Sequence, residues 1–184
     1  MTACLAVGMI NLADGLYIPA KAALAQHLLQ RAWQRGETLD GVDDPRMRPW
    51  PWADTFPIAR LTGDSLDDEM FILSGASGRT LAFGPGHLQA SAMPGEPGNA
   101  VIAGHRDTHF RFLEDVVVGD RFVIDRRDGE RIVFEVDDLQ ITDSRQASIS
   151  LDTDEAKMTL VTCYPFDAIQ AGGPLRYVVS AHRL

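Results

Sequence analysis

The chain has 184 residues, 45% of them hydrophobic and 23% charged, which suffices for one domain with a sizeable core. Its formal net charge of −9 excludes a nucleic-acid binder that works by neutralising phosphates, because no basic patch is present to do so. The two cysteines, Cys4 and Cys163, lie far apart, one of them in an N-terminal apolar run, so no disulfide framework is expected.

Thr2 to Ala20 is mostly apolar, interrupted by Asn11 and Asp14, and has roughly the minimum length for a bilayer, where about 20 apolar residues are needed. No Lys or Arg precedes the run and no small-residue cleavage site closes it, so residues 1–20 are expected to form an uncleaved transmembrane anchor. A buried helix of a soluble domain is the alternative. Lys21, Arg31 and Arg35 follow the run, and by the positive-inside rule they favour keeping the remainder of the chain in the cytoplasm.

Residues 21–55 are expected to hold an amphipathic helix and a linker. From Pro19 to Arg35, Ala22, Ala25, Leu28, Leu29, Ala32 and Trp33 form one stripe, with Gln26, Gln30, Arg31 and Gln34 largely opposite. Pro19 suits a first turn and Gly36 a C-terminal stop. The stripe is expected to pack on the following domain, with a position in the membrane interface as the alternative. Glu37 to Asp54 contains Pro45, Pro49 and Pro51 and has little periodicity, as an extended linker does; Trp50 and Trp52 are either headgroup anchors or a cap on the domain.

After Phe56 the chain becomes a series of short apolar runs separated by turn residues: Ile58 to Leu61, Met70 to Leu73, Leu81 to Phe83, Ala100 to Ala103, Arg121 to Asp125, Arg131 to Asp137, Met158 to Thr162 and Leu175 to Ser180. Phe122 and Ile124 share one face of their strand, and Ile132, Phe134 and Val136 one face of theirs, with the tight-turn pair Asp128-Gly129 between the two. The fold class is therefore mainly β, with strands spaced for a closed or nearly closed barrel over residues 56–184.

Three of these runs carry a polar group at one end. Thr159-Leu160-Val161-Thr162-Cys163 delivers a single thiol to a loop mouth before Tyr164-Pro165, Val101-Ile102-Ala103-Gly104 delivers His105, and Arg176 enters the run Leu175 to Val179. A free cysteine is often only a small core residue. Cysteine with histidine, however, supplies a nucleophile and a proton donor, and a fixed guanidinium stabilises an oxyanion without losing its proton. With ordinary pKa values of about 8.5 and 6.5, roughly one per cent of such thiol–imidazole pairs are thiolate and imidazolium together near neutral pH.

The Thr159–Cys163 run resembles the TLxTC element of sortases, Ala103-Gly104-His105 their AGH element, and Arg176 the arginine that follows. Gly84-Pro85-Gly86-His87, Pro94 to Asn99 and His105-Arg106-Asp107 are also sortase-like, and Arg48 to Asp54 resembles the proteobacterial branch. The resemblance covers about Phe56 to Leu184. It implies an eight-stranded β-barrel with Cys163, His105 and Arg176 as catalytic residues. It also implies a cysteine transpeptidase that cleaves an LPxTG-like C-terminal sorting signal through a thioacyl enzyme and passes the product to an amine acceptor. The partners implied are a substrate protein bearing that signal, the amine, and the lipid bilayer; no nucleic acid is expected.

Against the positive-inside reading, the resemblance puts the catalytic domain outside the cytoplasm, on a single-pass protein of the cell (inner) membrane. Thr162, His87, Ile149 and Leu151 are the expected substrate-binding residues, the last two being the large apolar residues of the polar stretch Thr142 to Thr153. No cofactor is expected and calcium dependence stays open; a zinc pair is not expected, for His105 and His109 stand four apart, but Arg106 occupies the place where a zinc HExxH pattern needs Glu. Asp107 either orients His105 or caps a short helix through Phe110 to Leu113. Two other functional classes stay open, a cysteine peptidase or amidase that uses water as acceptor and a non-enzymatic envelope binding protein.

Overall fold

The computed structural model describes residues 20–36, 47–169 and 172–184. A helix α1 (residues 20–36) is followed by β1 (Pro57–Gly63), β2 (Met70–Ser74), the short helix α2 (Gly78–Leu81), β3 (Gly86–His87), β4 (Gly98–Ala103), a 3-10 turn (Arg111–Glu114), β5 (Arg121–Arg126), β6 (Arg131–Asp143), β7 (Ala156–Cys163) and β8 (Leu175–Arg183). The strands close into a barrel in the order β1-β2-β3-β4-β7-β8-β6-β5, so no sheet edge is left open. The β2–β3 and β4–β7 pairs are parallel and the others antiparallel.

Alternation along the strands fills the interior. Phe122, Ile124, Ile132, Phe134 and Val136 are buried in one cluster with Ile102, Met158, Leu160 and Val179, and full burial of such a side chain stabilises by about 1.5–3 kcal/mol. Gly129, at positive φ, makes the β5–β6 turn as Asp128-Gly129 predicts.

Two strands depart from expectation. Leu81 to Phe83 is not a strand: the Ser77 side chain accepts from Thr80 N and caps α2 there. The barrel position is taken by Gly86–His87, a pair too short to carry any periodicity. β6 does not stop at Asp137 but runs to Asp143, because its pairing with β8 resumes beyond a register slip between Val136 and Asp138. A bulge of this kind reverses which residues face inward. Ile132, Phe134 and Val136 point to the core before it and Leu139 packs there after it, so strict alternation ends while the strand continues.

The apolar stripe of α1 lies on the barrel. Leu29 and Trp33 pack against Phe71 and Leu73, with the Trp33 and Phe71 rings 5.9 Å apart, and Ala25 and Ala32 are buried beside them. That use of the stripe replaces the interfacial alternative. Trp50 meets Phe83 edge-on at 4.9 Å as a cap, whereas Trp52 is 81% exposed. Of the transmembrane anchor expected over residues 1–20, residues 1–19 lie outside the described residues, as does 37–46 of the linker, and Ala20 is the first residue of α1; among the described residues no helix is long and apolar enough to cross a membrane.

Candidate active site

Strand parity decides which way the three polar residues point. In β7, Met158 and Leu160 belong to the core, so Val161 and Cys163 face outward; in β8, Val179 and Ala181 are core, so Arg176 and Val178 face outward; in β4, Ile102 is core, so Val101 and Ala103 face outward. Cys163 and Arg176 are direct partners in the antiparallel β7–β8 register, and their side chains therefore stand side by side on the outer surface of the barrel.

His105 arrives from the other flank. The parallel β4–β7 register pairs Ala103 with Val161. It is carried one residue further by Gly104 N, which donates to Val161 O at 3.1 Å, and by Thr162 Oγ1, which donates to Gly104 O at 2.8 Å. The residue after Gly104 is thus held alongside Cys163. The Gly104 backbone lies so close to the buried Phe110 ring that a Cβ there would stand 2.6 Å from it. Cys163 is half-buried and His105 exposed, so thiol and imidazole both open to a substrate. Arg176 Nη1 donates to Gly173 O and Leu175 O, which pins one arm of the guanidinium.

A sortase domain family model matches residues 61–184, a stretch that includes all three of these residues. The chain belongs to the sortase family. It is 32% identical over 120 residues to Sortase D of Bacillus subtilis (strain 168), a match that covers 65% of this chain and 60% of that protein's length. Its fold is like that of a Clostridium perfringens Sortase D5 transpeptidase, with a TM-score of 0.69 at 24% identity over 88% of this chain and 99% of that one. Sortase A from Corynebacterium diphtheriae superposes with a TM-score of 0.64 at 28% identity, covering 88% and 85% of the two chains.

Other expected site residues of this sortase lie elsewhere. Thr162 is 2% exposed and on the inward parity of β7, so it does not face substrate; its hydroxyl is spent on Gly104. His87 is 4% exposed, with Nε2 bonded to Ala92 O at 2.8 Å and Ser91 Oγ at 3.1 Å, and ties the following loop instead of lining a groove. Burial pushes its imidazole below the usual histidine range against the opposing pull of the Ala92 carbonyl. Asp107 neither caps a helix nor orients His105, since its carboxylate accepts from Arg106 Nε at 3.1 Å and the 3-10 turn begins without a side-chain cap. Burial, with the nearby His105, lowers the pKa of His109. Among the described residues no group of three or more His, Cys, Asp or Glu is arranged to hold a metal.

Ile149 and Leu151 belong to the β6–β7 connection of the sortase barrel. Leu151 O accepts from Asn99 N, and Ser150 O from Asn99 Nδ2, both at 2.9 Å; Asn99 Oδ1 in turn accepts from buried Thr159 Oγ1 at 2.9 Å. These contacts are at the start of β4, about 20 Å along the strand from His105 at about 3.3 Å per residue. Between the two ends, half-buried Ala103 and Val161 are outward neighbours and form a floor. The sequence places Asn99 and Arg106 in sortase-like stretches but assigns neither a role, although the buried guanidinium of Arg106 reaches the β7–β8 loop. Neither has a local signature beyond a polar residue beside an apolar run.

Proposed function

We propose that this sortase is a cysteine transpeptidase anchored in the cell membrane with its barrel outside the cytoplasm, cleaving an LPxTG-like sorting signal and transferring the product to an amine. The observation that carries the reading is the register pairing of Cys163 with Arg176, with His105 brought in from β4. The Cys163 thiolate attacks the scissile carbonyl, and the developing oxyanion takes hydrogen bonds from the Arg176 guanidinium, whose Nε and Nη2 are not engaged by Gly173 or Leu175. Protonated His105 gives its proton to the departing amine, leaving a thioester on Cys163. The incoming amine then attacks that thioester, loses a proton to His105, and expels the thiolate. The sorting peptide lies extended over Ala103 and Val161. Its four residues before the scissile bond span about 14 Å, which brings their leading side chains toward the Ile149–Leu151 segment.

The test is mass spectrometry of a sorting peptide incubated with the enzyme, with and without triglycine. A peptide–triglycine adduct that disappears in Cys163→Ala supports transfer; a hydrolysed peptide with no adduct assigns water as acceptor; and an unreacted peptide with an inert Cys163 thiol leaves a binding protein. Fractionation with protease added outside the inner membrane checks the placement, and a barrel that is soluble or protected overturns it.

A further inference from the structure

Arg106 directly follows His105, and its side chain is 6% exposed. Its Nη1 donates to Pro165 O and its Nη2 to Ala168 O, each at 2.6 Å, while Nε donates to Asp107 Oδ1 at 3.1 Å. The Asp107 carboxylate is 66% exposed, so its compensating charge sits mostly in water and the dry guanidinium is oriented chiefly toward backbone carbonyls. Burying a guanidinium against neutral acceptors is costly and does little for stability compared with an apolar residue of similar size. What it supplies is geometry, because a planar fork that satisfies two carbonyls fixes both the distance and the angle between the segments it joins.

Those segments are the two halves of the site. Pro165 lies two residues after Cys163, and Arg106 one residue after His105. Beneath them, Gly104 is already tied to β7 through Val161 O and Thr162 Oγ1. His105 is therefore bracketed, with one tie to the cysteine strand before it and another to the cysteine loop after it. We propose that Arg106 is a positioning residue that sets the spacing and angle of His105 relative to Cys163, an inference that builds on the catalytic reading of that pair. Arg111 provides an internal control. Its Nη1 donates to Phe166 O at 3.1 Å, on the same loop, but its side chain is 55% exposed, and it belongs to the 3-10 turn, which meets His105 only through the backbone, where Phe110 N donates to His105 O at 2.9 Å.

Arg106→Gln, Arg106→Lys and Arg111→Gln are compared in the full-length protein by peptide kinetics and by the pH profile of Cys163 alkylation with iodoacetamide. Loss of alignment at the site lowers kcat on the order of 100-fold in Arg106→Gln and about 10-fold in Arg106→Lys, with KM within about threefold because the groove floor is untouched. Arg111→Gln stays within about threefold of wild type in kcat. The alkylation profile of Arg106→Gln moves to that of His105→Ala, and adding the arginine substitution to His105→Ala changes nothing further, as two residues acting through one geometry require. A merely structural arginine would lower the melting temperature and leave that profile in place. Folded Arg106→Gln with a wild-type profile, or with kcat no lower than that of Arg111→Gln, overturns the proposal; should Arg106→Gln fail to fold, Arg106→Lys carries the same criteria. If the wild-type protein cleaves no peptide, the functional reading fails, and the alkylation profiles still decide the role of Arg106.

Discussion

Thr162→Val separates the barrel's support of His105 from substrate binding. The exchange is nearly isosteric, at a residue 2% exposed, and removes one hydroxyl that donates to Gly104 O at 2.8 Å. A buried carbonyl deprived of its donor costs about 1–3 kcal/mol, and the second lone pair and the added methyl place this case near the lower end, at about 1.5 kcal/mol. For a domain of this size the melting temperature falls about 2–4 °C per kcal/mol, hence about 3–6 °C here. The remaining Gly104 N to Val161 O bond keeps the chain on β7 but no longer fixes the peptide that leads into His105. The expected kinetic result is a kcat lower by about 10- to 100-fold with KM nearly constant, and recovery in Thr162→Ser. Calorimetry and a quenched-fluorophore peptide assay read both effects. A melting shift without any loss of kcat would show that the bond stabilises the barrel and does not position His105. A raised KM at unchanged kcat would return Thr162 to the substrate surface.

Cys163→Ala is expected to abolish turnover, and Arg176→Lys to lower kcat about 10²–10³-fold, as loss of an aligned oxyanion donor does; near-wild-type rates in either variant remove that residue from the mechanism. Asn99→Ala releases the Ser150 carbonyl and the Thr159 hydroxyl, so KM for the peptide should rise several-fold at little change in kcat, and an unmoved KM detaches the 149–151 segment from recognition. Gly104→Ala drives a Cβ into the Phe110 ring, which should cost about 1–3 kcal/mol in urea unfolding and most of the activity; a stable, active variant would show that the ring yields freely. The folded-state pKa of His87 lies below its ordinary value, so the unfolded chain binds the extra proton first as pH falls. Its contribution is therefore neutral above about pH 6.5 and destabilising below, and His87→Gln should flatten the loss of stability between pH 7.5 and pH 5 in urea titrations.

Short apolar runs between turn residues displayed most of the barrel strands, with alternation plain in β5 and β6, and the stripe Ala22, Ala25, Leu28, Leu29, Ala32 and Trp33 displayed α1, although Ala22 is exposed and Leu28 only half-buried, because a buried face imposes its period on the residues that supply it. Cysteine, histidine and arginine at three strand ends were legible for the same reason: Cys163 and His105 close recognisable runs and Arg176 opens one. Tertiary structure decided what has no period. Gly86–His87 is a strand only because β2 and β4 flank it, and the extension of β6 was hidden by the bulge at Val136/Asp138, which exchanges its inward and outward residues. The inward parity of Thr162 and the buried loop tie of His87 likewise came from packing, which turned two expected substrate contacts into supports. Asn99 and Arg106 act through backbone carbonyls about fifty to sixty residues away. Any residue's carbonyl can serve as such an acceptor, so side-chain identity does not mark it, and only closure of the barrel brings donor and acceptor together.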